Sequence, residues 1–368
     1  MKRSQGAKPG RSGALVVGMI ALLSVTSVDS GGDQPCWFSE PYGEHAQGTI
    51  GIASRYGSGD LPAKSRHRAV KALAATLDAE PPESAPKDRE RLQLGGADVK
   101  LASTWRSGGY YFSYAYRYDD SAEPWVDQRC EGPVCRPQAC EPDWLCSDAD
   151  AQQAASVVTV SQRAANQREQ YRLLFENALT QMQALFGVEV ESYQETLIQG
   201  GRDAAAAIPR LLDREQSQLD YRGSDEPPVL VLLAQCAVGD LIYARVALLG
   251  AESPQRPADI PRNWHEKVSI GQRGIEIGRF SGHLSIDLLS SKIHRAVENG
   301  LVQLAREEGV HMEQEAVEVR SRGGGVFFAK ASRAGTQQWL RAQLHGVRFT
   351  GSGSDLKVHV LLEQLEAH

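Results

Sequence analysis

Asn263-Trp264-His265, then Gly274-Ile275-Glu276-Ile277-Gly278-Arg279, then His294-Arg295-Ala296-Val297-Glu298-Asn299-Gly300-Leu301 is the stretch whose reading decides the fold. It runs from a Trp through turn residues into a short strand that alternates apolar with polar, and then into a helix. The same order occurs twice more. One copy opens Cys36-Trp37-Phe38, passes Thr49-Ile50-Gly51-Ile52-Ala53-Ser54 and reaches His67-Arg68-Ala69-Val70-Lys71-Ala72-Leu73. The other opens Asp143-Trp144-Leu145-Cys146, passes Ser156-Val157-Val158-Thr159-Val160-Ser161 and reaches Phe175-Glu176-Asn177-Ala178-Leu179. The string His-Arg-Ala-Val is shared by the first and third copies, which sets His67 and His294 in matching places. From each Trp to Leu73, Leu179 and Leu301 the separations are 36, 35 and 37 residues. The Trp residues themselves recur after 107 and 120 residues. These periods are too long for solenoid repeats of roughly 20–50 residues and suit whole domains.

Working outward, each helix shows an apolar stripe at three- and four-residue steps. Tyr171, Leu174, Phe175, Ala178, Leu179, Met182 and Leu185 form one, Leu289, Ile293, Ala296, Val297, Leu301 and Leu304 another, and Val70, Leu73, Ala74 and Leu77 a shorter third. Short strands follow Gly187 and Gly309, at Val188-Glu189-Val190 and Val310-His311-Met312. Closing strands are expected at 109–116, 240–246 and 355–361. The expected class is α+β: three tandem small sandwiches, each a helix packed on one face of a short mixed or antiparallel sheet. Their bounds are 36–120, 143–250 and 263–368, with a Cys/Pro-rich linker at 121–142 and a second linker at 251–262.

The first thirty residues place Lys2, Arg3, Lys8 and Arg11 before an uncharged apolar run, the layout of a secretory signal at 1–30. Uncleaved, the charge-free run at 12–28 is the segment that would contact a membrane, at the lower limit of a spanning length of roughly 17–25 residues. Cleavage after Ser30 takes the formal charge from −6 to −9. A net negative chain lacks the basic footprint of a nucleic-acid binder. Composition, 41% hydrophobic and 23% charged, is that of a chain that folds.

Six cysteines remain: Cys36, Cys130, Cys135, Cys140, Cys146 and Cys236. An even count in an exported chain reads as disulfides, with about 15 pairings that spacing does not separate. Zinc is disfavoured because there is no CxxC pair and no nearby His.

No catalytic, cofactor-binding or metal-ligating residue is assigned. His265-Glu266 lacks the second His of a zincin, and His311, His345 and His359 lack an acid motif. Gly274, Gly278 and Gly282 match neither phosphate-loop spacing, and 323–325 reads as a Gly hairpin tip ahead of Val326-Phe327-Phe328. The most unusual composition is the strip Tyr110, Phe112, Tyr114 and Tyr116, one face of a strand, with Trp105 before it. Exposed, it would be a partner surface for glycan or for a sheet edge; buried, it is core.

An exported chain with a Trp, a Gly-containing strand and a helix ending Ala-Leu resembles the bacterial envelope family of small membrane-associated lipoproteins first described as a twenty-kilodalton antigen. It is similar, too, to the N-terminal domain of flagellar assembly protein T. Trp37, Gly51, Ala53, Ala69 and Ala72, with Trp144, Tyr171, Ala178 and Leu179, carry the likeness over about 50 residues per unit. The chain departs from the pattern in having three units and in lacking a lipobox before Cys36. The resemblance implies location in the cell envelope or periplasm and interaction or assembly work, with a protein or envelope component as partner. It carries over no catalytic residue. The competing expectation is a secreted hydrolase or carbohydrate-active protein, recognisable as a deep inter-domain cleft with two close, perturbed acids.

Overall fold

The computed structural model describes residues 34–119, 121–146, 155–201, 210–222, 228–250, 260–282, 289–309, 311–320, 326–352 and 355–365. The expected signal at 1–30, residues 251–259 of the expected second linker and the hairpin tip at 323–325 lie outside the described residues.

In chain order the first region holds β1 (Gln34–Pro35), α1 (Cys36–Ser39), β2 (Gly48–Ser54), α2 (Leu61–Thr76), β3 (Arg91–Leu94), β4 (Ala97–Leu101), β5 (Trp105–Ser107) and β6 (Tyr110–Arg117). Between it and the next lie α3 (Ala122–Val126) and β7 (Arg129–Cys130). Then come β8 (Ser156–Val160), α4 (Gln167–Met182), β9 (Val188–Gly201), β10 (Arg210–Tyr221), β11 (Leu230–Val238) and β12 (Leu241–Leu248). The last region holds β13 (Ile275–Phe280), α5 (Leu289–Glu308), β14 (His311–Arg320), β15 (Val326–Thr350) and β16 (Lys357–Leu365). The class is α+β. In every region the first strand pairs antiparallel with the closing strand: β2 with β6, β8 with β12 and β13 with β16.

Local chemistry fixes the helix starts. Asp60 caps α2 by accepting from the Ala63 amide at 3.0 Å, with Pro62 in the first turn, and Asn166 caps α4 by accepting from the Glu169 amide at 3.0 Å. α2 then lays Ala69, Val70, Leu73 and Ala74 against the first sheet, and α5 lays Ile293, Ala296, Val297 and Leu301 against the third.

Two glycines set how closely those helices approach. A Cβ on Gly51 would stand 2.0 Å from the Ser65 carbonyl oxygen and 2.3 Å from the Ala69 nitrogen. One on Gly278 would stand 1.9 Å from the Ala296 carbonyl oxygen and 2.8 Å from the Gly300 nitrogen. Each glycine comes fourteen residues after its Trp. This contact makes Ala69 the counterpart of Gly300, not of Ala296. The shared His-Arg-Ala-Val strings are therefore offset by one helical turn, and His67 and His294 do not occupy matching places.

Two features join the regions more tightly than tandem units strung on linkers. One buried cluster runs continuously from Trp37 through Tyr114, Val157, Leu174, Val246 and Ile293 to Leu362, so all three regions share it. In addition, β9 of the second region pairs along its whole length with β15 of the third, Val188 opposite Leu340 through to Gly201 opposite Phe327. The segment expected as a linker at 121–142 is a hub. Disulfides Cys36–Cys130 and Cys135–Cys236 tie it to the first and second regions, and Arg348 of β15 donates to Cys140 Sγ. Cys140–Cys146 closes a small loop from its end into the start of the second region, so all six cysteines are paired.

Candidate assembly surface: two paired β-arms

Gly187, at φ 123°, releases the chain from α4 into β9, which returns as β10 from Arg210 opposite Gln199 to Tyr221 opposite Val188. After α5 a second hairpin rises and returns, His311 opposite Gly335 through to Arg320 opposite Val326. Pairing of β9 with β15 zips the two hairpins into one antiparallel sheet in the order β10-β9-β15-β14.

The base of this sheet is fastened to α5. Ser192 and Thr336, register partners and both buried, take hydrogen bonds from and give them to the helix. Thr336 Oγ1 donates to the Ala305 carbonyl at 3.2 Å, and the Arg306 guanidinium donates to Ser192 Oγ at 3.0 Å. Arg341 Nε donates to the Leu185 carbonyl at 2.9 Å and the Tyr193 hydroxyl to Gln216 Oε1 at 2.6 Å. Beyond Ser192, β9 continues for nine residues to Gly201, roughly 30 Å at the usual rise of a strand. Among the described residues neither β10 nor β14 has a second strand partner. A row of backbone donors and acceptors therefore runs along each outer edge, the feature that invites pairing with another strand. Sequence reading caught only the first residues of β9 and β14. The available signal was the pair of Val/Leu/Ile/Tyr/Thr-bearing runs on either side of 202–209.

The aromatic strip is not a partner surface. Phe112, Tyr114 and Tyr116 are 1%, 0% and 1% exposed, and Tyr110 is half-buried. The reason is the chain ahead of β2, where α1 places Trp37 and Phe38 on the face of β6 opposite α2. Tyr110 uses its hydroxyl to accept from the Gln167 amide at 3.0 Å, which joins β6 to the start of α4.

The third sheet carries a compact basic group. Arg279, His359 and Arg348 are register partners across β13, β16 and β15, and the His265 ring lies 6.1 Å from that of His359. Arg279 donates to the carbonyls of Val268 and Lys267, and His359 Nε2 meets Thr350 Oγ1 at 3.0 Å. Burial, with Arg279, His265 and Lys357 close by, pushes the His359 imidazolium down to about 4. His345, the extra residue of a β-bulge in β15, pairs with Glu363 at 2.6 Å beside a cavity of about 10 Å³ between β8 and β15. That volume admits about one water. His294 pairs with Glu298 at 3.1 Å on its own helix. His311 begins β14, Gly278 is inside β13, and no phosphate-type loop is formed there.

Among the described residues, Glu276 on β13 and Glu307 on α5 bring two carboxylates together. Burial first, then the Glu307 carboxyl beside it, push the Glu276 carboxyl upward. Both belong to one region, and Glu307 is exposed and accepts from the Gly274 amide at 3.0 Å. They do not make the inter-domain acidic site of the competing expectation.

No protein-family description, curated protein or solved structure matches the chain.

Proposed function

We propose that the chain is an exported cell-envelope protein built from three copies of one β-α-hairpin-β unit, and that it works as a non-enzymatic interaction or assembly module through its arm sheet. The β9–β15 pairing carries this reading. It commits two hairpins from separate regions to a sheet that leaves two long edges unpaired, on a body that is otherwise tightly packed and disulfide-tied. A body of that kind holds a binding edge rigidly, which lowers the entropic cost of association. Three disulfides fit an exported protein. No helix among the described residues is long and apolar enough to cross a membrane. The unit repeat is supported by the fourteen-residue spacing from Trp37 to Gly51 and from Trp264 to Gly278, and by the shared pairing of first and closing strands. Likeness to the small envelope lipoproteins and to the N-terminal domain of flagellar assembly protein T belongs to the same proposal.

The test is an arm-shortened chain in which Asn-Gly turns join Tyr193 to Gln216 and Met312 to Ala334, compared with the full chain in the producing cell. Intact mass of the soluble and membrane pools gives the mature N-terminus and the compartment. The expected result is a folded, exported, disulfide-bonded protein that no longer enters the large complexes seen for the full chain. Equal complex formation with and without the arms would overturn the reading.

A further inference from the structure

We propose that the partner of the arm sheet is a second copy of this chain, joined head to tail with β14 of one copy beside β10 of the next, so that copies close into a ring walled by a continuous antiparallel sheet. This rests on the assembly reading and names its partner.

Strand direction permits it. β9 opposes β10 and β15, and β15 opposes β14, so β10 and β14 run in opposite directions at the two edges. Set side by side from neighbouring copies, they make an antiparallel pair like every pair inside the sheet. A contact between two different edges propagates and, when its rotation closes, leaves no edge open.

Charge supplies the specificity. Register places Arg214, Glu195, Arg333 and Glu313 in one row across β10, β9, β15 and β14. Formal charge alternates along it, positive, negative, positive, negative, and the row ends in opposite signs at the two edges. Glu313 of one copy beside Arg214 of the next continues the alternation without a break. In that register Met312 meets Glu215, Gln314 meets Asp213, Glu315 meets Leu212 and Val317 meets Arg210, so no like charges stand opposite. A closed barrel needs stagger between strands. Shifting the edge by two residues in either direction still sets an Arg, 214 or 210, opposite Glu315. An edge meeting its own kind gains no such alternation, since β14 offers Glu313, Glu315 and Glu318 of a second β14 only one arginine, Arg320.

The experiment is sedimentation velocity on the full chain with its disulfides intact, at low ionic strength, for wild type, Arg214→Glu, Glu313→Arg and an equimolar mixture of the two variants. Wild type is expected at one discrete multiple of the monomer mass. Each variant alone meets itself like on like, Glu beside Glu or Arg beside Arg, and is expected to lose the assembled peak. Mixed, the two variants alternate from copy to copy with complementary contacts, closing a ring where the copy number is even and forming an open run of copies where it is odd, and assembled mass is expected to return. Thermal midpoints of the variants separate lost pairing from lost folding; each variant also sets a like charge opposite Glu195 or Arg333 of its own chain, which is expected to lower the midpoint by about 3 °C or less. A monomeric wild type, variants that assemble as wild type does, or a mixture that stays monomeric each overturn the proposal. If wild type is monomeric yet enters arm-dependent complexes in the cell, the assembly reading stands and only self-pairing falls.

Discussion

Trp37 lies flat on Tyr114, ring centroids 5.1 Å apart and planes 2° from parallel, while the Tyr114 hydroxyl donates to the Pro41 carbonyl at 2.6 Å. One residue thus receives the N-terminal turn twice, through its ring and through its oxygen. Tyr114→Phe removes one of two hydrogen bonds to the buried Pro41 carbonyl, which still accepts from the Gly48 amide at 2.9 Å, and is expected to cost about 1 kcal/mol. Tyr114→Ala also removes the stacked ring and is expected to cost about 3–5 kcal/mol. Urea unfolding followed by Trp fluorescence measures both, and equal costs for the two variants would refute the two-part role.

Gly51→Ala and Gly278→Ala place a methyl against helix backbone, 2.0 Å from Ser65 O and 1.9 Å from Ala296 O. Backbone cannot rotate away as a side chain can, so α2 or α5 must shift, at a cost of about 2–3 kcal/mol or more. Gly43→Ala is the control, because a Cβ there meets nothing within 4 Å; its effect is expected within about 0.5 kcal/mol. Thermal melts of the three variants decide the matter.

Removing disulfides should rank by the loop each closes. Cys36–Cys130 and Cys135–Cys236 span 94 and 101 residues, against 6 for Cys140–Cys146. Chain entropy gives about 4.7 kcal/mol for either long loop and about 2.2 kcal/mol for the short one. Paired Cys→Ser variants, compared by denaturant midpoint, are expected in that order.

Acid should weaken the fold through His359. Its folded value of about 4 lies below the unfolded value of about 6.5, so the unfolded chain takes up the proton first. Stability from this group is complete above pH 6.5 and is lost as pH falls from 6.5 to 4. Because the ring is only half-buried, solvent screening reduces the effect to about 1–2 kcal/mol. His359→Gln is expected to flatten the slope of stability against pH in that window. An unchanged slope would remove His359 from the account.

How far the sequence foretold this can be argued residue by residue. The stripes of α2, α4 and α5 were legible because one face of each is buried, which leaves its period in the sequence, and β2, β8 and β13 were legible as short runs rich in β-branched residues, β8 being buried along its whole length. Cysteine pairing was not, since Cys135 and Cys236 are brought together by the fold and by nothing in their spacing. The Tyr strip announced a β-strand but not which side was covered, because its cover, Trp37 and Phe38, comes from 70 or more residues upstream. The arms were the least legible. Leu197 pairs with Ala331 and Leu212, and a partner more than a hundred residues away leaves no local mark. Polar residues dominate 191–196 and 213–218, so no apolar period announces a strand there.

β15 runs for 25 residues without a turn, about 80 Å of strand. Its first half belongs to the arm sheet and its second to the sheet that carries α5, with the bulge at His345 in between. No loop interrupts it to absorb rotation, so the strand behaves as a beam. A tilt imposed at the arms must reappear in the body, and pressure on the body must reach the arms. In a ring of copies, every body would hang at one fixed angle from the common wall. Anything that displaced one of them would strain the wall itself.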